Sequence, residues 1–242
     1  MNRKTVLGSE ALHTLAMALM LCGHLRAALF PPADWLACLG RLAFPLFAFM
    51  TAEGYTRTRD IHRYMLRMLI AALLSEIPFN LVYSGSAFYP LRQNALWTLL
   101  LGLVLIYLID KTKDRLKGAT SKAVCTLLVV LGFVLGGAAM LDYYGLGVLA
   151  VLVFRFFPCR GLTNLLCQFV CVYVLNVMLP GGYKLATFGH MFELVLTLLS
   201  LAPLWLYNGK KKSSGRSFQY FFYAFYPSHL LILYFVRGWV LR

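Results

Sequence analysis

Apolar residues fall in long blocks, near 11–30, 35–54, 64–84, 94–110, 122–141, 143–158, 162–180, 184–207 and 218–240, with short polar gaps between them. A helix needs about 20 mostly apolar residues to cross a bilayer, and most blocks reach or approach that length. Hydrocarbon offers no water to the backbone, so N–H and C=O groups must bond within the segment; this predicts helices. The ten-residue alternation of a membrane barrel is missing. The pattern predicts an all-α, polytopic integral membrane bundle of about nine transmembrane helices, forming one domain over residues 1–242. The fifth and sixth blocks meet at Asp142-Tyr143, which predicts a very tight turn.

The gaps also predict a direction. Arg3 and Lys4 precede the first block. Arg57, Arg59, Arg63 and Arg67 follow the second, and Lys111, Lys113, Arg115, Lys117 and Lys122 the fourth. Arg155 and Arg160 follow the sixth, and Lys210, Lys211, Lys212 and Arg216 the eighth. With nine spans these all lie on one side, while the opposite gaps hold little beyond Arg26, Arg92 and Lys184. Basic loops stay in the cytoplasm, so the N-terminus is expected inside and the C-terminus outside, in the bacterial cytoplasmic membrane.

Composition agrees. The 242 residues are 60% hydrophobic and only 13% charged, with a mean hydropathy of +0.72, and a soluble domain carries roughly twice that charged fraction. The net charge of +14 is confined to loops, so it signals membrane topology rather than nucleic-acid binding. The six cysteines lack metal-like spacing and read as small packing residues. The first block contains His13, His24 and Arg26 and lacks a small-residue cleavage site, so it is expected to remain as a span.

Ionisable groups within spans are costly and usually face a bundle interior or a wet cavity. His13 and His24 are eleven residues apart, close to three turns and roughly 16 Å along one face of the first helix. Arg41 and Glu76 lie in the outer halves of spans two and three, where a charge pair between them is expected. Asn80 is one turn beyond Glu76; Asn94 opens span four and Asp142 closes span five. Glu53 ends span two near the cytoplasm, His190 and Glu193 share a face of span eight, and His229 is near the middle of span nine. A buried histidine with acids nearby can act as a base near neutral pH. No ligand spacing supports a metal site, and no GxSxG, P-loop or GxGxxG signature is present. Gly145-Leu146-Gly147 reads as close helix packing.

Several of these residues sit in stretches that resemble the TraX family, named for the conjugation protein that acetylates the N-terminus of F pilin. The stretches are Leu12 with Met20-Leu21-Cys22-Gly23-His24, Gly40-Arg41-Leu42-Ala43-Phe44-Pro45-Leu46-Phe47-Ala48-Phe49, Ala52-Glu53-Gly54-Tyr55 and Ser75-Glu76-Ile77-Pro78-Phe79-Asn80. Asn94 with Thr98-Leu99-Leu100-Leu101-Gly102, Asp142-Tyr143-Tyr144-Gly145 and Phe225-Tyr226-Pro227-Ser228-His229-Leu230-Leu231 complete the set. The family is also similar to membrane acyltransferases that carry a basic residue, ten residues and a histidine in the first span, here His13-x10-His24.

The resemblance implies a membrane acyltransferase that moves an acetyl group from acetyl-CoA, at the cytoplasmic side, to an amine or hydroxyl at the outer face. It implies His24, Glu76 and Asp142 as catalytic groups. Arg41, Asn80, Asn94 and Tyr143 would contact substrate or oxyanion, and His13, Glu53 and Arg57 the acyl donor. The implied partners are membrane lipids and an acyl acceptor: a pilin, a polysaccharide or a lipid head group. The family usually has lysine at position 13 and aspartate at 23, where this chain has His13 and Gly23, so Glu76 or Asp142 is the expected orienter of His24. Two other readings of the same polar residues are a transporter or flippase, supported by Pro45, Pro78 and Pro227, and a structural subunit.

Overall fold

A computed structural model of the chain describes residues 8–158, 161–178, 190–207 and 216–240, without the side chains of 178, 190–193 and 216–219. Cys159, Arg160, Lys184, Lys210, Lys211 and Lys212, and the side chains of His190, Glu193 and Arg216, fall outside that description. The described residues form ten helices: α1 (Ser9–Ala28), α2 (Asp34–Arg41), α3 (Ala43–Arg57), α4 (Ile61–Ser84), α5 (Ala95–Arg115), α6 (Gly118–Ala138), α7 (Tyr144–Phe156), α8 (Leu162–Met178), α9 (His190–Trp205) and α10 (Arg216–Val240). An isolated parallel bridge joins Gln93 and Leu141.

Among the described residues, five segments are long and apolar enough to cross a membrane: α1, α2 with α3 as one stretch from Asp34 to Arg57, α4, α5 and α6; the apolar parts of α7, α8 and α9 are shorter. The second expected span is therefore a broken helix. Pro45 has no N–H to offer the carbonyl of Arg41, four residues back, so the ladder stops there and restarts after Leu42. Large apolar side chains along α6, among them Leu127, Val130, Val134 and Leu135, are exposed, as a lipid-facing surface requires.

The chain divides into two compact units, Met1–Phe47 with Leu74–Phe88 and Val172–Arg242, and Ala48–Leu73 with Tyr89–Cys171. In the first unit, α1 and α2 touch through Gly23 and Gly40. A Cβ on Gly40 would stand 2.5 Å from the Gly23 Cα, so Gly40 has no room for a side chain, while one on Gly23 would meet the Gly40 Cα at 3.1 Å. Cys38 and Leu42 pack against Leu196 of α9, with Leu19 and Leu39 around them. Helix α10 runs beside α1 in the same direction. His13 meets Phe222, with ring centroids 4.7 Å apart, and His24 meets His229 further along both helices. The two histidines of α1 thus share one face, as their spacing predicts.

In the second unit, α5, α6 and α7 approach through glycines. A Cβ on Gly136 would meet the Gly145 Cα at 2.9 Å, and one on Gly102 would meet the Val151 side chain at 2.7 Å. Small residues bring helices into contact where lipid supplies no hydrophobic drive. The turn between α6 and α7 is as tight as its sequence predicts: Met140, Tyr143 and Tyr144 all have positive φ, at 52°, 66° and 48°. Such values strain bulky residues, so neighbouring contacts must hold them. Gln93 N–H donates to the Met140 carbonyl and Asp142 N–H to the Gln93 carbonyl, both at 3.0 Å. The Thr98 hydroxyl donates to the Asp142 carbonyl through a short bond.

Candidate functional site

His24 lies in the last third of α1 and is 8% exposed. Its Nδ1 is 2.6 Å from Nε2 of His229, and the two rings stack with centroids 4.8 Å apart. Tyr226 and Tyr83 stand edge-on to His24 at 5.7 and 6.2 Å. Phe225 stacks on His229, with ring centroids 4.7 Å apart. The second half of α4, the end of α1 and the middle of α10 thus converge on one imidazole, all within the first unit.

The hydrogen bonds assign the protons. His229 Nδ1 is 2.6 Å from the carbonyl oxygen of Phe225. A carbonyl only accepts, so Nδ1 carries the hydrogen. In a neutral ring Nε2 is then the acceptor, and the short contact to His24 requires His24 Nδ1–H to be the donor. His24 Nε2 is left with the lone pair, which is the form a general base or nucleophile needs. A buried acceptor behind a histidine, holding its tautomer, is the arrangement that prepares histidine for proton transfer in hydrolases; here the acceptor is a second histidine.

The other expected residues divide by unit. In the first unit, Glu76 is half-buried on α4 and Asn80 is 1% exposed one turn further on. Arg41 sits at the α2–α3 break, with Nη1 3.4 Å from the Asn176 carbonyl of α8. The Asn176 side chain donates to the Thr197 hydroxyl of α9 at 3.1 Å. His13 donates from Nδ1 to the Ser9 carbonyl at 2.7 Å. The orienting group on His24 Nδ1 is His229, where a carboxylate was expected. A Cβ on Gly23 would stand 3.1 Å from the Gly40 Cα, a close contact.

In the second unit, Asn94 is fully buried and caps α5. Its Oδ1 accepts from Leu96 N–H and its Nδ2 donates to the Ala72 carbonyl, each at 3.0 Å. Asp142 pairs with Arg92 at 3.2 Å. Tyr143 is the left-handed cap of α7. Glu53 and Arg57 pair with each other at 2.6 Å, one turn apart. Arg155 pairs with Asp110 at 2.9 Å and lies over the Tyr55 ring. No cluster of three or more metal-ligating side chains occurs among the described residues.

A protein-family model described as TraX protein matches residues 8–237. The chain belongs to the TraX family. A curated relative is similar along its full length: "Probable fimbrial assembly protein FimC, serogroup H1" of Dichelobacter nodosus is 26% identical, over 96% of this chain and 97% of that protein. No solved structure matches. The family match covers α1 to most of α10, and so includes both members of the histidine pair.

Sequence reasoning about this TraX chain chose His24 but left His229 out of the site. The signal was present. A lone histidine inside a hydrophobic helix needs a partner, and His229 lies in one of the stretches that carry the family resemblance. Position along each helix gave its depth; the facing of α10 onto α1 is a tertiary fact that no local pattern encodes.

Proposed function

We propose that this TraX-family protein is a membrane acyltransferase that moves an acetyl group from acetyl-CoA to an amine or hydroxyl at the outer face of the bacterial cytoplasmic membrane. The observation that carries the reading is the His24–His229 pair, buried, hydrogen-bonded and anchored at Phe225, which presents an unprotonated Nε2 on His24. The acceptor N–H or O–H gives its proton to that nitrogen, and the acceptor atom attacks the thioester carbonyl carbon. The tetrahedral intermediate collapses as the C–S bond breaks, and the imidazolium returns the proton to the departing thiolate. While His24 is charged, its Nδ1–H bond to His229 is charge-assisted and stronger, so the pair favours the charged stage of the reaction over its resting stage.

The membrane arrangement that goes with this reading has nine crossings, with α2 and α3 counted together, and the N-terminus in the cytoplasm. Two features support it. Helices α1 and α10 run in the same direction, as the first and last of an odd number of crossings would. Basic residues recur in alternate gaps. The fimbrial assembly function in the relative's name makes a pilin-like polypeptide the first acceptor to test. Mass spectrometry of envelope components from cells carrying the wild-type chain or His24→Ala tests the reading. An acetyl increment on a surface polypeptide, saccharide or lipid only with the wild-type chain is expected. Identical envelopes would reject it.

A further inference from the structure

Asn80 is a deeply buried open polar group on α4, the helix that brings Tyr83 to the histidine pair. The residue is 1% exposed, and neither Oδ1 nor Nδ2 has a hydrogen-bond partner among the described residues. Its backbone is satisfied otherwise: the Ser84 hydroxyl donates to the Asn80 carbonyl at 2.7 Å. The open carboxamide is thus confined to the side chain. Leaving both ends of a buried amide unpaired is costly, and natural cores avoid it unless a ligand completes the bonds. Asn80 lies three residues before Tyr83, the ring set edge-on to His24, and residues three apart are neighbours on a helix surface. It also follows Pro78 by two residues, where the helical ladder of α4 is interrupted.

The chemistry of the missing partner follows from the two atoms. Oδ1 needs a donor and Nδ2 needs an acceptor, side by side. A thioester carbonyl would satisfy only Nδ2. An N–H and a C=O presented together satisfy both, and that is the pattern of a secondary-amide chain. We propose that Asn80 is the recognition residue for an amide-bearing segment of the substrate, drawn past His24. This rests on the acyltransferase reading and extends it to substrate choice. Two molecules in that reaction carry such a segment: the pantetheine arm of the acyl donor and a polypeptide acceptor.

The test uses the full-length protein in detergent and two variants, Asn80→Leu, which removes the polar atoms at similar volume, and Asn80→Asp, which keeps the shape but replaces the donor. Binding of coenzyme A is compared with that of adenosine 3′,5′-bisphosphate, which lacks the pantetheine arm. A loss of about tenfold or more in coenzyme A affinity in both variants, with the bisphosphate unchanged, assigns the amide to the donor. Unchanged coenzyme A binding with a similarly raised KM for a polypeptide acceptor assigns it to the acceptor. Unchanged binding and KM for every probe would overturn the role of Asn80 while acetyl transfer itself continued. Thermal unfolding without ligand is a readout independent of acyl transfer. Asn80→Leu is expected to unfold at the wild-type temperature or above, because an unpaired buried amide has been removed. A marked fall in that temperature would show that Asn80 holds the fold, and would also overturn the proposal.

Discussion

His24 Nδ1 donates to His229 Nε2 across 2.6 Å, and His229 is itself anchored to the Phe225 carbonyl. The second histidine is therefore a positioning residue: it fixes which nitrogen of His24 bears the proton. His229→Gln keeps an acceptor near the place of Nε2, whereas His229→Leu removes it. Turnover is expected to fall about 10- to 100-fold in the leucine variant, with KM little changed, and to recover in part in the glutamine variant. Steady-state kinetics of both variants checks this. Equal losses in the two would mean that packing, not the hydrogen bond, matters there.

The contact between Gly23 and Gly40 sets the distance of α2 from the helix that carries His24. Gly40→Ala places a Cβ 2.5 Å from backbone, and overpacking of this kind costs about 1–3 kcal/mol. Gly137 of α6 has nothing within 4 Å of its added Cβ. Gly137→Ala is expected to be neutral or to stabilise by up to about 1 kcal/mol, through helix propensity alone. Thermal unfolding of the two variants in one detergent should separate them, with Gly40→Ala the lower.

Asp142 is tied down twice, by Arg92 through its side chain and by Thr98 through its carbonyl. The ion pair is partly exposed, with side-chain exposures of 44% for Arg92 and 23% for Asp142. Solvent screening therefore limits Arg92→Gln to about 0–1 kcal/mol. Thr98 is fully buried, so Thr98→Val leaves a strained turn without its donor and is expected to cost about 1–3 kcal/mol. Unfolding measurements that found Arg92→Gln the more damaging would contradict this ranking.

The parallel course of α1 and α10 has a consequence for topology. An alkaline phosphatase fused after the last helix is expected to be active outside the cell membrane, and a fluorescent protein fused there dark. The same reporters in the 111–117 gap should give the opposite result. Cytoplasmic signal from both positions would mean an even number of crossings, with α1 and α10 antiparallel.

The helices were legible in the sequence because hydrocarbon leaves the backbone no alternative, and because Lys and Arg mark the gaps. The break at Leu42 was written in Pro45, which removes one ladder bond. Asp142-Tyr143 announced a tight turn, although the left-handed backbone at both Tyr143 and Tyr144 did not follow from residue type, since tyrosine disfavours it. His24 stood out as a polar group with a cost to explain. What sequence could not give was partnership. Arg41 reaches the C-terminal end of α8 at the Asn176 carbonyl, a contact that no local pattern announces. Asn94 also caps α5, a role its place before the apolar block could have suggested. Which groups meet is decided by helix rotation and crossing angle, and these depend on packing throughout the bundle.

The most direct measurement is acetyl transfer from labelled acetyl-CoA by the purified full-length protein, with wild type and His24→Ala compared at equal, verified folding. Wild type is expected to release free coenzyme A in step with acetylation of an amine- or hydroxyl-bearing acceptor, and His24→Ala to be slower by about 10²- to 10⁴-fold, the range for loss of a general base. Wild-type rates in His24→Ala would contradict the role of the histidine pair.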